Sequence, residues 1–231
     1  MQENGTKKAC DRCGTCCVKG GPSLHTEDRP LLESSRLRPE HLVTIRRGEP
    51  VFSLGGEKPE PAASEIIKLK GSGAEWTCLF FQQKEAECTI YQHRPLECSL
   101  LKCWDTADLE KIAGRNLLRR SDLMAPGNPV LSYIATHEEK CSLENLAHLL
   151  ASVNSRDSQK ESLEELSLLV NMDLAIRSQA CERLRLNVEL ELFCFGRPLF
   201  KILEESSISL QEENGRCTLA LSAAASAFSP E

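Results

Sequence analysis

The residues of this sequence best suited to chemistry are four cysteines within eight positions: Cys10, Cys13, Cys16 and Cys17. Two successive two-residue spacers let neighbouring thiolates turn toward a common point, which is the geometry of zinc knuckles and of iron–sulfur loops. Gly14 lies inside the cluster, where a tight ligand loop often needs a positive φ or a close approach to the metal. The spacing therefore predicts a metal-binding loop.

A second, more widely spaced set of cysteines follows: Cys78, Cys88, Cys98 and Cys103. Clustered thiols in a reducing compartment are more typical of metal binding than of disulfides or core packing. We therefore predict that all eight cysteines are metal ligands and that the two sets converge in space. The other four are isolated in sequence, and free cysteine is among the most buried residue types, so we expect them in the core: Cys141, Cys181, Cys194 and Cys217.

The identity of the metal depends on how the eight thiols divide. Eight thiols suffice for two tetrahedral zinc sites. A [4Fe–4S] cluster also takes four cysteines, commonly three close together and one remote, and Cys10, Cys13 and Cys16 match the close triplet. The bacterial ferredoxin pattern differs, because there a Cys-Pro follows a three-residue spacer, whereas here Cys17 follows directly. Ligand softness and spacing favour an iron–sulfur cluster, with zinc as the alternative.

Other polar residues near the cysteines are weaker candidates. Arg94 could donate hydrogen bonds to a thiolate or form a surface ion pair. His93 and His25 could be ligands, but eight thiols make them unnecessary. His137 and Cys141 lie four residues apart on one predicted helical face and could form an extra metal pair. The second His of the protease motif is absent, so a buried cysteine beside a capping turn is the better interpretation.

The catalytic residues, if there are any, stay unknown from the sequence. Glu97 and Asp105 could act as acid–base groups, but no motif singles them out. The sequence has no nucleotide-binding glycine loop and no hydrolase serine motif.

Composition and charge argue against several classes of function. The 231 residues carry a formal charge of −6; residues 1–105 balance 15 Lys and Arg with 15 Asp and Glu, whereas residues 106–231 carry 13 and 19. No basic patch emerges, so nucleic acid is not expected as a partner. The N-terminus lacks the apolar run of a secretory signal, and no segment approaches ~18 uninterrupted apolar residues. We therefore expect a cytoplasmic protein that does not interact with a membrane.

The predicted elements around the cysteines are short. A helix follows Thr26, another runs from Pro39 through Val43, and residues 51–52 form a brief strand. Further strands are predicted at residues 65–70, 76–81 and 88–91, with residues 71–73 and 84–87 as the turns between them. In that arrangement the thiols of Cys78 and Cys88 could face each other across a hairpin.

A helix is predicted to begin near Pro95. Cys98 and Cys103 lie roughly 140° apart around an ideal helix. They can therefore share a ligand site only if that helix ends or bends between them.

Beyond residue 105 the pattern becomes mostly helical. Residues 108–123 form a helical stretch interrupted by Gly114, and capping-box spacing at residues 136–139 and 158–161 predicts the starts of two further helices. Residues 208–210 and 217–221 form a closing hairpin around Asn214-Gly215, and residues 223–231 a frayed tail. We expect an α+β fold: a small irregular metal-tied unit with short strands (1–105), then a mostly helical extension with a C-terminal hairpin (106–231).

The joint cysteine pattern resembles the YkgJ-like cysteine-cluster family, whose CxxCxxCC motif matches residues 10–17. All eight cysteines of that family have a counterpart here, and its Tyr-x-x-Arg-Pro segment matches Tyr91, Arg94 and Pro95. The resemblance covers residues 10–103 and implies a domain that chelates zinc or iron. Some members are called Fe–S-cluster-containing proteins, and flagellin lysine-N-methylases carry a similar cluster. The helical extension matches nothing with an assigned function.

Two classes of function follow. The first is a redox or cluster-carrying protein in which the cysteines hold a [4Fe–4S] cluster. The second is a zinc-stapled interaction module whose acidic helical extension binds a protein partner. A third, a cluster-dependent protein methylase, rests on the resemblance alone, and no S-adenosylmethionine loop supports it.

Overall fold

A computed structural model of the protein describes residues 10–18, 20–53, 55–73, 75–153, 155, 158–204, 206, 208–213 and 216–221. The fold is α+β, as the sequence predicts, with more helix than strand. The described residues form the α-helices α1 (Arg29–Glu33), α2 (Leu96–Leu100), α3 (Ala107–Ile112), α4 (Arg120–Leu123), α5 (Val130–Lys140), α6 (Leu143–Val153), α7 (Gln159–Leu184), α8 (Glu191–Phe195) and α9 (Leu199–Leu203). Short 3-10 helices occupy Thr26–Asp28, Pro39–His41, Tyr91–His93 and Val188–Leu190.

The strands pair two by two, and every pair is antiparallel. The pairs are β1 (Leu42–Ile45) with β4 (Ile66–Leu69), β2 (Pro50–Phe52) with β3 (Pro59–Pro61), β5 (Gly71–Ser72) with β6 (Thr77–Cys78), β7 (Phe81–Gln82) with β8 (Glu87–Cys88), and β9 (Ile208–Glu213) with β10 (Arg216–Leu221). An isolated two-stranded pair is only marginally stable in water. The pairs around the cysteines therefore depend on other interactions.

The β1–β4 pair is anchored by the helical part of the chain. All four β1 residues are buried, and the Thr44 hydroxyl donates a hydrogen bond to the Phe193 carbonyl of α8 at 2.5 Å. Gly196 follows α8 with φ +72°, and a Cβ there would lie 2.7 Å from the Thr44 carbonyl oxygen. Only glycine meets both demands without strain, so the end of α8 can lie directly on β1.

One hydrophobic core runs through both halves of the chain. Leu42, Ile67 and Leu69 from the first half belong to the same buried cluster as Leu166 and Phe195 of the helical half. This contact agrees with the expectation that the two parts pack together. The division into units of residues 1–105 and 106–231 stays a prediction.

Two predicted elements in the first half were wrong. Residues 42–43 begin β1 rather than ending a helix, because Val43, Thr44 and Ile45 pair with β4 and fill a buried layer that suits β-branched side chains. Residues 71–72 form β5 rather than a turn. Here Gly71 lies so close to the Trp76 carbonyl that a side chain would collide with it.

The predicted strands 76–81 and 88–91 were too long. The first divides into β6 and β7, and the second shortens to β8 before a 3-10 turn, although the predicted hairpin turn between β7 and β8 is present. Cys78 therefore pairs with Gly71 and Cys88 with Phe81. The two thiols do not oppose each other across one hairpin.

Of the two helix starts predicted from capping-box spacing, the one at residues 158–161 is confirmed and the one at residues 136–139 is wrong. Residues 136–139 lie inside α5, which begins at Val130, because the apolar face continues back through the buried Ile134. Ser158 does precede α7, but its hydroxyl bonds to the Ser152 carbonyl rather than capping the helix.

The C-terminal hairpin is confirmed, and it is fastened to α7. The Asn171 side chain donates a hydrogen bond to the Cys217 carbonyl at 2.7 Å and accepts one from the Cys217 amide at 3.1 Å. The predicted turn at Asn214-Gly215 and the predicted tail 223–231 lie outside the described residues. None of the described helices has the length and apolar character needed to cross a membrane.

Candidate metal centre

All eight cysteines predicted as ligands line one cavity of about 440 Å³: Cys10, Cys13, Cys16, Cys17, Cys78, Cys88, Cys98 and Cys103. The other walls are mainly apolar and aromatic, with Phe80, Phe81, Tyr91, Leu101 and Trp104 among them. The two cysteine sets are thus brought together, although 61 positions separate Cys17 from Cys78. Their role as ligands stays a prediction.

The first cysteine set lies in a tight loop. The Gly14 carbonyl accepts hydrogen bonds from the Cys17 amide at 2.7 Å and from the Val18 amide at 3.1 Å. Gly14 has φ +76°, and a Cβ on it would overlap the Phe81 ring. A left-handed residue without a side chain is therefore required between Cys13 and Cys16, which agrees with the role predicted for this glycine.

The second set comes from three separate elements. The Cys78 amide in β6 donates a hydrogen bond to the Cys17 carbonyl at 2.8 Å and so joins the two sets directly. Cys88 ends β8, and Cys98 lies in α2. Because α2 ends at Leu100, the chain turns before Cys103, and both cysteines reach the cavity. The sequence allows Cys98 and Cys103 to share a ligand site only if the helix ends or bends between them, and the end of α2 meets this condition.

The neighbouring thiols of Cys16 and Cys17 interact most strongly. Their sulfur atoms are 3.9 Å apart. A hydrogen bond from Cys17 lowers the pKa of Cys16 to about 6, while the same bond and burial raise the pKa of Cys17. The two thiols therefore titrate as a coupled pair. Burial raises the pKa of Cys78 and of Cys98, and the nearby thiols raise it further.

Arg94 is positioned against the cavity by an aromatic ring. Its guanidinium carbon lies 3.8 Å from the centroid of Tyr91, and that of Arg12 lies 4.5 Å from the same centroid. The Arg94 Nε–H is buried and has no hydrogen-bond partner within the described chain. An unsatisfied buried donor is costly, and its position in the cavity wall suits an anionic group.

Glu97 has a structural role. Its carboxylate accepts a hydrogen bond from the Ser23 amide at 2.7 Å and contacts the Nε2 of buried His25 at 3.2 Å. The other ring nitrogen of His25 lies 2.8 Å from the Arg115 carbonyl oxygen. Both nitrogens of His25 thus have other partners, whereas His93 lines a separate, smaller hollow with Arg12 and Tyr91. Asp105 forms a backbone β-bridge with Lys102 beside Cys103, and its amide donates a hydrogen bond to the Lys102 carbonyl at 2.9 Å.

A second polar cluster lies in the core of the helical part. His137, Cys141 and Asp173 each offer one potential ligand atom, and these three atoms lie within 4.8 Å of one another. All three residues are fully buried. His137 Nε2 is 2.5 Å from Asp173 Oδ1, which also accepts a hydrogen bond from Arg177 Nε at 2.7 Å. Cys141 is buried as predicted, but no sequence pattern indicated Asp173, because it lies 36 positions from His137 on α7.

The environment of this cluster governs its protonation. Burial lowers the pKa of His137. Burial also opposes ionisation of Asp173, but the hydrogen bond to His137 and the charge of Arg177 outweigh it and hold the pKa of Asp173 below its ordinary value. Asp173 and Arg177 thus form a neutralised pair, and Asp173 in addition accepts a hydrogen bond from the Leu199 amide at 2.9 Å. The cluster ties α5, α7 and α9 together.

Among the four cysteines predicted for the core, Cys141 and Cys194 are buried, whereas Cys181 and Cys217 are only half-buried. Burial raises the pKa of Cys141 and of Cys194 to about 11. Both therefore stay protonated near neutral pH, as packing residues do.

The residues around the cavity fit a thiolate-bound metal group. Thiolates are soft donors suited to zinc and to iron–sulfur clusters. Either group carries net negative charge when bound by four thiolates, and the buried Nε–H of Arg94 offers it a hydrogen bond.

The comparisons with known proteins agree with this chemistry. No curated protein and no solved structure matches the chain. One family model does match, over residues 9–117, and its description is "Putative zinc- or iron-chelating domain". That match begins just before Cys10 and extends past Cys103, so it spans every cysteine of the cavity. Residues 9–117 thus match the CxxCxxCC family, and this is the family that the cysteine pattern of the sequence resembles.

Proposed function

We propose that this protein binds metal through its eight N-terminal cysteines and that the bound group is an iron–sulfur cluster, with [4Fe–4S] favoured. The observation that carries the proposal is the meeting of all eight thiols on one largely apolar cavity. When bound, such a cluster supplies one-electron redox chemistry, and its potential depends on hydrogen bonds to sulfur and on solvent exposure.

The size of the cavity favours a cluster over isolated zinc ions. Zinc binds sulfur at about 2.3 Å and needs four thiolates drawn close around a point. Thiols distributed around about 440 Å³ better suit a larger inorganic core. Phe80 and Phe81 would cover part of that core, and Arg94, oriented by Tyr91, would donate a hydrogen bond to it. A redox or cluster-carrying role in a reducing cytoplasm accords with this arrangement.

The proposal is tested by purifying the full chain without oxygen and measuring its absorption spectrum together with iron, sulfide and zinc content. We expect broad absorption near ~400 nm with stoichiometric iron and sulfide. A colourless protein that contains zinc and no sulfide would refute the cluster and support the alternative below. A protein with neither metal would refute metal binding altogether.

The second candidate is a zinc-stapled interaction module. One observation favours it: Leu168 and Met172 lie one turn apart on α7 and are exposed, Leu168 by 71% and Met172 by 42%. Residues 106–231 also carry the excess of acidic residues. In this role the cysteines would hold zinc, and the acidic helical extension would bind a basic protein partner around the two apolar side chains.

A further inference from the structure

The eight thiols differ in exposure, and the difference divides them equally. Four are solvent-exposed: Cys10, Cys13, Cys16 and Cys103. Four are half-buried or buried: Cys17, Cys78, Cys88 and Cys98. Four thiolates are the complement of one tetrahedral zinc or of one [4Fe–4S] cluster. We call these sets the outer four and the inner four.

The inner four are held by the folded framework. Cys17 packs against the hydrophobic core, and its carbonyl accepts the hydrogen bond from Cys78 in β6. Cys88 is in register with Phe81 in the β7–β8 hairpin, and Cys98 is in the middle of α2. Each inner thiol is therefore fixed by backbone hydrogen bonds. These are the bonds of a strand, those of a helix, or the bond that joins Cys17 to Cys78.

The outer four lie on loops. Cys10, Cys13 and Cys16 belong to the Gly14 loop, and Cys103 lies in the turn after α2. The local hydrogen bonds of this loop include one from the Arg12 amide to the Cys10 sulfur at 3.3 Å and a contact between Cys13 and the Thr15 hydroxyl at 3.2 Å. Loops move more readily than the elements that they connect.

The outer four and the inner four adjoin at Cys16 and Cys17. These residues are consecutive, and their sulfurs are 3.9 Å apart, yet Cys16 is exposed while Cys17 is packed against the core. Two consecutive thiolates at this distance can bind one metal atom, but they can also each provide a ligand to one of two neighbouring metal groups, and their different exposure favours the second arrangement. This explains the direct Cys-Cys pair, which a single ferredoxin-like site does not require.

We propose, building on the proposed metal-binding function, that the protein holds two separate four-thiolate metal sites: an inner site of Cys17, Cys78, Cys88 and Cys98, and an outer site of Cys10, Cys13, Cys16 and Cys103. The inner site joins the N-terminal loop to β6, β8 and α2 and stabilises the fold. The outer site is open to solvent and exchanges its metal group more readily.

The test uses pairs of Cys→Ser substitutions in the full chain, with metal content per chain as the readout. Two substitutions within one site should remove one site, so Cys10→Ser/Cys103→Ser and Cys16→Ser/Cys103→Ser should each retain about half of the metal. Two substitutions across the sites should remove both, so Cys16→Ser/Cys88→Ser should retain almost none. Cys181→Ser, which changes a half-buried cysteine on α7, is the matched control and should retain all of it.

A chelator provides a second measurement that does not need the inner-site variants to fold. Wild-type protein should lose about half of its metal in a fast phase, and Cys10→Ser/Cys103→Ser should lack that phase. If wild-type protein holds no metal, the proposed function itself fails. If it holds metal but Cys10→Ser/Cys103→Ser loses all of it, or loses none, or keeps the fast phase, the two-site division is overturned.

Discussion

At the residue scale, Gly14 has the most direct effect on the metal-binding loop. Gly14→Ala would place a methyl group into the Phe81 ring at a left-handed φ. We expect a loss of about 1–3 kcal/mol in local stability from backbone strain and the clash. Metal content should fall by at least several-fold, measured by metal analysis of the purified variant.

Gly73 provides the control for this prediction. It also has a left-handed φ, +71°, but no atom lies within 4 Å of where its Cβ would be. Gly73→Ala should therefore show the backbone cost without the clash and keep its metal. Equal metal content in the two variants would show that contact with Phe81 does not shape the loop.

His137 should make the stability of the folded protein depend on pH. The unfolded chain takes up a proton at His137 near the ordinary pKa of 6.5, whereas burial lowers the pKa in the folded protein. The contribution is therefore complete above pH 6.5 and is lost as the pH falls below it, with a slope of at most about 1.4 kcal/mol per pH unit. Thermal or denaturant melts between pH 7.5 and 5.5 measure it.

The variant His137→Gln isolates this contribution. Its amide can still donate a hydrogen bond to Asp173, but it cannot titrate, so the difference between wild type and variant should shrink toward acidic pH. Other groups that titrate in the same range, including His41, whose pKa burial also lowers, cancel in the comparison. A difference that stays constant with pH would exclude His137 as the cause.

At the element scale, the pairs β5–β6 and β7–β8 have only two residues per strand. Such short ladders cannot hold the cysteine region together, so metal binding should contribute much of its folding free energy, on the order of 10 kcal/mol per structural zinc. Removal of metal should therefore expose the amides of residues 77–105 to hydrogen exchange.

The same experiment contains its own comparison. Amides of β1, β4 and α7 should stay protected without metal, because these elements belong to the buried core that the helices share. Exchange resolved by peptide, before and after anaerobic chelation, separates the regions. Uniform loss of protection would mean that the metal centre supports the whole molecule, and uniform retention would mean that it supports none of it.

At the scale of the whole molecule, two buried arginines connect the first half of the chain to the helices. Arg120 pairs with Glu65 just before β4 and with Glu138 of α5, and it donates a hydrogen bond to the Cys194 carbonyl of α8 at 2.6 Å. Arg46, after β1, donates to the same Glu138 at 3.1 Å and to the Cys141 carbonyl at 2.6 Å. Glu138 thus bridges the two arginines.

Replacing Arg120 should loosen this connection. Arg120→Met keeps much of the apolar stem but removes the guanidinium bonds to Glu65, Glu138 and the Cys194 carbonyl. Glu138 keeps its hydrogen bond from Arg46, and Glu65 keeps the one from the backbone amide of residue 120. Removing one partner of a buried pair typically costs 3–5 kcal/mol; because Glu65 and Glu138 are partly exposed and can be solvated, we expect about 2–3 kcal/mol. Denaturant unfolding measures the loss. Lys160→Met, on an exposed ion pair of α7, should change stability by less than about 0.5 kcal/mol.

The prediction of a metal-binding loop depends on local sequence alone. Cysteine spacing is a short-range property, and a Gly-containing loop with two-residue spacers presents its thiols together whatever surrounds it. The long amphipathic helix α7 and the hairpin at β9–β10 were likewise predictable, because their apolar periods and turn residues are local. For Cys98 and Cys103 the sequence supplied only a condition, that the helix end or bend between them, and the structure meets it because α2 ends at Leu100.

Long-range contacts decided the rest. Residues 42–45 became a strand because β4 and α8 cover them, and neither lies near in sequence. One local contact also mattered: Gly71 pairs with Cys78, so a glycine pattern typical of a turn became part of a ladder. The division of the thiols into exposed and buried sets also depends on packing: Cys16 and Cys17 are adjacent in sequence, and only the contact of Cys17 with β6 and the core distinguishes them.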